Sequence, residues 1–241
     1  MEEAIRVKRI MKNERWNDRN ARVYDRYKKL FSRKEKKFWR NIILSTDGGK
    51  ILDIGVGTGF LSEIALELGY NVVGLDLSPS MLNLAIKNLD CEKFIPLLGD
   101  AENLPFRDES FDAVMSRYVL WTLPNPRKML EESIRVLKSD GMLLMSDGKF
   151  KRQHLLVKTL NELRSLIMDI TIGWRSPTWK RVYKKLNPYL PRWSCTKVVE
   201  ELRQLGVGEI EVIDLSEHRW FLYRILLGSN WQPFLVVGKK E

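Results

Sequence analysis

Only two cysteines and two histidines occur in the 241 residues, and they are scattered: Cys91 and Cys195, His154 and His218. Neither a C-x-x-C pair nor a Cys/His cluster is present, so the sequence offers no disulfide framework and no ligand set for a structural zinc ion. Long apolar runs are missing too. No stretch approaches the roughly 20 apolar residues that span a bilayer, and the N-terminus, MEEAIRVKRIMKNERW, is charged where a signal peptide needs an apolar centre. A chain with these absences is expected in the cytoplasm. At 44% hydrophobic residues, its length fills one core with a small attached cap rather than two domains.

Acidic residues are scarce where basic ones concentrate. Residues 1–40 carry fifteen Lys and Arg against six Asp and Glu, and residues 150–192 carry ten against two. The stretch 41–149 reverses the balance, with ten basic and sixteen acidic residues, and 193–241 is near neutral with six and seven. The net charge of +10 therefore sits on two flanking segments. Charged helical faces keep any soluble chain in solution, and Lys28, Lys29, Lys34, Lys36 and Lys37 fit that plain reading equally well.

Short β-branched and apolar runs recur at 50–54, 71–75, 94–98, 111–116 and 142–147, separated by segments of helical spacing. That alternation predicts an α/β fold with a parallel, doubly wound sheet. Ser78-Pro79 and Asn125-Pro126 place proline at first helical positions, and Gly141 is read as closing the second of those helices. After residue 150 an amphipathic stretch leads into a proline- and aromatic-rich region from Trp174 to Trp193. A helix near 195–205 and strands at 209–215 and 233–238 follow.

The first strand runs into Asp53-Ile54-Gly55-Val56-Gly57-Thr58-Gly59, where residues without side chains let the turn pass close to a ligand before a helix opens near Phe60. The spacing is G-x-G-x-G, and Phe60 stands where a dinucleotide fingerprint would place its third glycine. Asp76 ends the second strand in a position to accept hydrogen bonds from both hydroxyls of a ribose.

Five blocks in order, LDIGVGTG, GLDLSPSML, GDAENLPF, FDAVMSRYVLWTLPNP and RVLKSDGMLLMSD, resemble the class I S-adenosylmethionine-dependent methyltransferases, in particular the branch of ubiquinone/menaquinone C-methyltransferases. The resemblance covers residues 14–150 and, more weakly, 194–240. It implies a Rossmann-like, mostly parallel seven-stranded sheet with the last strand antiparallel, plus a helical cap. It divides a single domain, 1–241, into an N-terminal helical cap at 1–45 and a cofactor-binding core at 46–149. A basic, aromatic-rich cap insertion at 150–193 follows, and 194–241 completes the sheet. The implied cofactor is S-adenosyl-L-methionine. By the same resemblance Asp53 orients the methionine amine, Gly55, Gly57, Thr58 and Gly59 line the amino-acid portion, and Asp76 holds the ribose. Asp100 and Ala101 read the adenine edge, Leu77 and Met81 wall that ring, and the backbone of Ser116 and Arg117 follows the fourth strand. Trp16 and Tyr24 resemble the W-x-x-x-A-x-x-Y-D pattern of a helix packed over the methionine end, though the spacing departs slightly.

Methyl transfer from a sulfonium needs no metal, because the leaving group departs neutral. Tyr118, Trp121, Trp174 and Trp179 are candidates for the acceptor cavity, and Glu102 is read as solvated. Asp147, His154, Glu217 and His218 are candidate general bases, with the surface as the expected place of each. The acceptor is expected to be anionic or presented on an anionic surface, because Trp174, Arg175, Trp179, Lys180, Arg181, Lys184 and Lys185 interleave rings and cations. Nucleic acid, an anionic membrane and an acidic small molecule or protein all suit such a surface. Two alternatives stand beside the enzyme: a protein that holds the cofactor without turnover, and an NAD-dependent oxidoreductase.

Overall fold

The computed structural model describes residues 2–31, 33–89, 91–150, 182, 184–191, 193–216 and 231–241. Five strands precede the C-terminal pair: β1 (Lys50–Ile54), β2 (Asn71–Asp76), β3 (Phe94–Leu98), β4 (Phe111–Arg117) and β5 (Leu137–Phe150). With β6 (Val207–Asp214) and β7 (Trp231–Lys240) they form one seven-stranded sheet in the order β3-β2-β1-β4-β5-β7-β6. Pairings among β1 to β5 are parallel, and β7 runs antiparallel to both β5 and β6. The strand order reverses between β1 and β4, and ligands in such sheets bind at the carboxyl ends beside that reversal.

The central strands read as nearly continuous apolar runs because helices cover both faces. On one face Leu52, Ile54, Val73, Val114, Leu143 and Met145 join α6 (Pro126–Val136) and α7 (Cys195–Gln204). On the other, Ile51, Val72, Met115 and Leu144 pack with α3 (Arg33–Leu44), α4 (Phe60–Glu67) and α5 (Pro79–Leu89). Trp39 and Ile43 of α3 are among its fully buried side chains. A third, smaller cluster joins Val7, Ile10 and Met11 to Val182, Leu186 and Leu190. It packs α1 (Glu2–Ile10) and the π-helical turn Met11–Arg15 against the chain that re-enters after the central sheet. The helix α2 (Asp18–Phe31) lies against α5, where Asn88 Nδ2 donates to Asp25 Oδ1 at 2.8 Å.

Helix starts follow local chemistry. The Asn125 side chain accepts from Lys128 N ahead of Pro126, and Ser194 Oγ accepts from Lys197 N at 3.2 Å. Gly141 does not close α6, contrary to its reading as a helix end. The helix stops at Val136, Leu137 is already extended, and β5 begins there with a register shift opposite Phe111 and Ala113. Leu137 is fully buried, and a Cβ on Gly141 would stand 2.7 Å from its Cδ1. Burying that leucine draws the chain out of the helix early, and the glycine is needed for the bulge that follows. Of the proposed cap at 150–193, residues 151–181, 183 and 192 lie outside the described residues. So do Trp174, Trp179, Lys180, Arg181, His154, Glu217 and His218.

Candidate functional site

Side chains alternate across a strand, so the parity of the core residues assigns the polar ones to faces. Asp53 follows Ile51, Asp76 falls in step with Val72, and Arg117 follows Met115, all toward the helices α3 to α5. Two buried carboxylates and a guanidinium thus converge where the strand order reverses.

Between β1 and α4 the chain turns through three glycines with left-handed backbone: φ is 69° at Gly55, 58° at Gly57 and 94° at Gly59. Gly55 is required by contact as well as by φ, since a Cβ there would lie 2.2 Å from Val119 Cγ2. Gly57 differs, because its missing Cβ points at open space with only Gly55 O at 3.9 Å. The turn is anchored by Gly55 N and Val56 N donating to Leu75 O at 2.7 and 3.0 Å. Thr58 is buried, and its carbonyl accepts from Asn88 Nδ2 at 3.0 Å.

Asp76 ties this turn to the start of α5. Gly57 N donates to its Oδ2 at 2.9 Å and Ser78 N to its Oδ1 at 2.8 Å. Of the carboxylate's four acceptor positions these donors and the Leu77 N–H take three, which leaves one for a ribose hydroxyl. Burial pushes the Asp76 carboxyl up to about 6, against the N–H groups of Ser78, Gly57 and Leu77. Asp53 is pushed to about 7 by burial, with Ser62 opposing, Asp76 reinforcing and Arg117 opposing. Its Oδ2 accepts from Ser62 Oγ at 2.7 Å. An open cradle at Gly57, a carboxylate suited to an amine and a second suited to a ribose hydroxyl fit the amino-acid and ribose parts of S-adenosylmethionine.

The N-terminal segment reaches this edge directly. Ser78 Oγ donates to Trp16 O at 2.8 Å, and Trp16 meets Tyr24 edge-on with ring centroids 5.4 Å apart. The Arg15 guanidinium stacks 3.6 Å from the Trp16 ring, and burial pushes it down to about 9 against the favourable pull of Tyr24. Met81 is buried near the start of α5 and Leu77 is half-buried. Asp100 and Ala101 follow β3. Asp100 Oδ1 accepts from Glu102 N at 3.0 Å, while Lys8 Nζ of α1 reaches Asp100 Oδ2 and Glu102 Oε2, each at 2.6 Å. Glu102, expected in solvent, is buried, because Asn125 N donates to its other oxygen at 2.8 Å and Lys8 neutralises it.

At the end of β4, Ser116 is buried and donates to Ile54 O at 3.0 Å. Arg117 pairs with Glu35 of α3, and its guanidinium lies 4.3 Å from the Phe60 ring and 4.6 Å from that of Tyr118. Tyr118 itself carries a left-handed φ of 61°, uncommon outside glycine and typical of strained functional positions. The next turn, Leu120–Thr122, hangs on Asp147, whose Oδ2 accepts from Trp121 N at 3.0 Å. Asp147 is buried, contrary to its expected surface place, because it satisfies amide groups of its own strand end and of this turn. Burial pushes it to about 7 against the N–H groups of Gly148, Trp121 and Leu120. The links from Lys8, Glu35 and Ser78 escaped sequence reasoning; only Ser78, a serine before a helix-opening proline, carried a local signal. Among the described residues no group of three His, Cys, Asp or Glu is placed to hold a metal.

A methyltransferase-domain family model matches residues 52–145. The chain is 34% identical over 205 residues to the demethylmenaquinone methyltransferase of Clavibacter sepedonicus, covering 83% of each chain. It is 37% identical over 131 residues to that of Paenarthrobacter aurescens, covering 53% of this chain and 51% of the relative. The match therefore spans only about half the length of some curated relatives. Among solved structures, the phosphoethanolamine N-methyltransferase 2 of Haemonchus contortus, in complex with phosphomonomethylethanolamine and S-adenosylhomocysteine, superposes with a TM-score of 0.60 at 20% identity. That superposition covers 83% of this chain and 52% of the other, and it speaks to the fold alone.

Proposed function

Because this chain belongs to the class I S-adenosylmethionine-dependent methyltransferases, in their quinone-methyltransferase-like branch, we propose that it transfers a methyl group to a quinol-type acceptor by in-line displacement. The observation that carries the reading is the pair of buried carboxylates, Asp53 and Asp76, bracketing a glycine turn that opens onto empty space at Gly57. Bound S-adenosylmethionine supplies an electrophilic methyl whose bonding pair departs with sulfur, so alignment and dryness are what the protein must add.

Asp53 holds the ammonium, Gly55 to Gly59 pass beside the amino-acid portion, and Asp76 takes a ribose hydroxyl. Asp100 and Ala101 face the adenine edge between Leu77 and Met81, and Ser116 and Arg117 bound the β4 side. Tyr24 and Trp16, fastened through Ser78, cover the reacting end and exclude water. Tyr118 and Trp121 border the acceptor, the latter fixed by Asp147. The names of the relatives support a quinol, whose ring carbon becomes nucleophilic when an adjacent hydroxyl ionises.

The test uses methyl-labelled S-adenosylmethionine with a reduced demethylmenaquinone. Label in the quinol with equal release of S-adenosylhomocysteine is expected. Binding of S-adenosylhomocysteine without label transfer would overturn the quinol acceptor and leave the methyltransferase class standing.

A further inference from the structure

On the outer side of α1 lies a cleft of about 250 Å³ that the site above does not use, lined by Arg6, Arg9, Ile10, Asn13, Glu14 and Lys185. Arg6, Arg9 and Asn13 recur at spacings of three and four and share one stripe, while Val7, Ile10 and Met11 turn inward onto Val182, Leu186 and Leu190. Lys185 Nζ is 3.1 Å from Glu14 Oε2, so those charges compensate one another. Arg6 and Arg9 are exposed, and neither has an ion-pair partner among the described residues. The cleft thus holds two guanidinium groups that nothing among the described residues compensates, the side chain whose planar fork matches phosphate oxygens.

Its rim is apolar. Ile5, between Arg6 and the helix start and one turn before Arg9, is 61% exposed, and Tyr189 of the segment packed on α1 is 38% exposed. An aliphatic side chain beside guanidinium groups adds nothing to contact with a nucleic-acid backbone. At a bilayer the arginines take headgroup phosphates while the apolar side chains enter the headgroup–acyl boundary. We propose that the Arg6/Arg9 cleft is a phosphate site for anionic phospholipid headgroups, docking α1 on a membrane surface. The phosphate chemistry stands on the cleft alone; the choice of lipid as its source rests on the quinol reading, since such acceptors are lipid-soluble. The position is apt, because the same helix reaches the candidate cofactor site through Lys8, which contacts Asp100 and Glu102.

The experiment compares sedimentation of the wild-type chain and of the Arg6→Gln/Arg9→Gln variant with phosphatidylcholine vesicles, with and without phosphatidylglycerol. Binding only to the anionic vesicles is expected, falling about 30-fold in the variant at roughly tenfold per 1.4 kcal/mol and about 1 kcal/mol per basic residue at an anionic surface. S-adenosylhomocysteine affinity in the variant should equal that of the wild type, which checks that the fold is kept. Equal binding of both proteins, or equal binding to neutral vesicles, overturns the proposal. Protection by inorganic phosphate or binding of an RNA duplex, either one dependent on Arg6 and Arg9 and without vesicle binding, overturns the lipid source. No step requires turnover, so failure of the quinol assay and failure of this docking site are separate results.

Discussion

Charge is handled in opposite ways at the two ends of the molecule's polar structure. At the carboxyl edge of the sheet, Asp53, Asp76 and Asp147 are buried with hydrogen-bond donors but with no cation in direct contact among the described residues, and burial raises all three toward neutrality. Along α6, Arg135 donates to Asp108 at 2.7 Å, to Glu132 at 2.8 Å and to the carbonyls of Phe106 and Leu104 at 2.8 and 3.1 Å. There the pairing with Glu132 and Asp108 raises the guanidinium, and Arg135 holds Glu132 below the usual carboxylate range. The paired network fastens the loop that leads from Asp100 to β4. The unpaired edge keeps charge ready for a ligand that brings the opposite sign, at a cost in ligand-free stability.

The largest expected effect is on the pH dependence of that contrast. The three edge aspartates have folded-state pKa values above that of an unfolded aspartate, so the folded chain binds more protons between about pH 4 and 7 and loses stability as pH rises through that window. Glu132 works the other way, giving stability above its unfolded pKa that disappears as pH falls through its lowered folded value. Together they place the ligand-free optimum on the acid side of neutrality, with stability lost progressively toward pH 8. S-adenosylhomocysteine affinity should rise across the same window, because ammonium and diol both favour ionised carboxylates. Urea unfolding at pH 5.5 and 8 with and without the ligand reads both trends; stability that climbs steadily to pH 8 would break the comparison.

Substitution separates the two regions further. Asp76→Ala should weaken S-adenosylhomocysteine binding about 100-fold, or about 2.7 kcal/mol, by removing a charged acceptor for a ribose hydroxyl. Its unfolding midpoint without ligand should change little, since loss of the buried charge offsets loss of the acceptor for Gly57 N and Ser78 N. Arg135→Ala should do the reverse, lowering stability by about 2 kcal/mol and leaving affinity nearly unchanged, because Glu132 is left largely buried without its cation. Calorimetric titration beside urea unfolding tests both, and an Arg135→Ala variant that lost affinity as Asp76→Ala does would make the α6 network part of the site.

What could be read in advance was what is written locally. The ends of β1 and β2, with Asp53 one residue inside the first and Asp76 closing the second, follow from short apolar runs, and the antiparallel last strand came with the family pattern. The length of β5 was not readable, because a glycine three residues after Lys138 looks like a helix cap until the burial of Leu137 is known. Asp147 sits in Ser-Asp-Gly, a composition typical of surface turns, and only the neighbouring turn at Trp121 explains its burial. Pairs such as Lys8 with Asp100 and Arg117 with Glu35 join residues 92 and 82 positions apart, where no sequence spacing carries the signal.

Lys8 gives the finest test of where the boundary between the two regions runs. Its ammonium is partly buried, yet the hydrogen bonds and charges of Asp100 and Glu102 outweigh that burial and hold it above the ordinary lysine range. By charge it belongs with the paired network; by position it touches the residue assigned to the adenine edge. Lys8→Gln should lower stability by about 1 kcal/mol, because Glu102 keeps only the Asn125 amide. Affinity for S-adenosylhomocysteine should move less than about threefold, since Asp100 would meet a neutral base through its remaining acceptor positions. A tenfold loss would bring α1 into the cofactor site itself. A clear gain would mean instead that the ammonium competes with the adenine for Asp100, and that the helix must shift before the ligand is fully held.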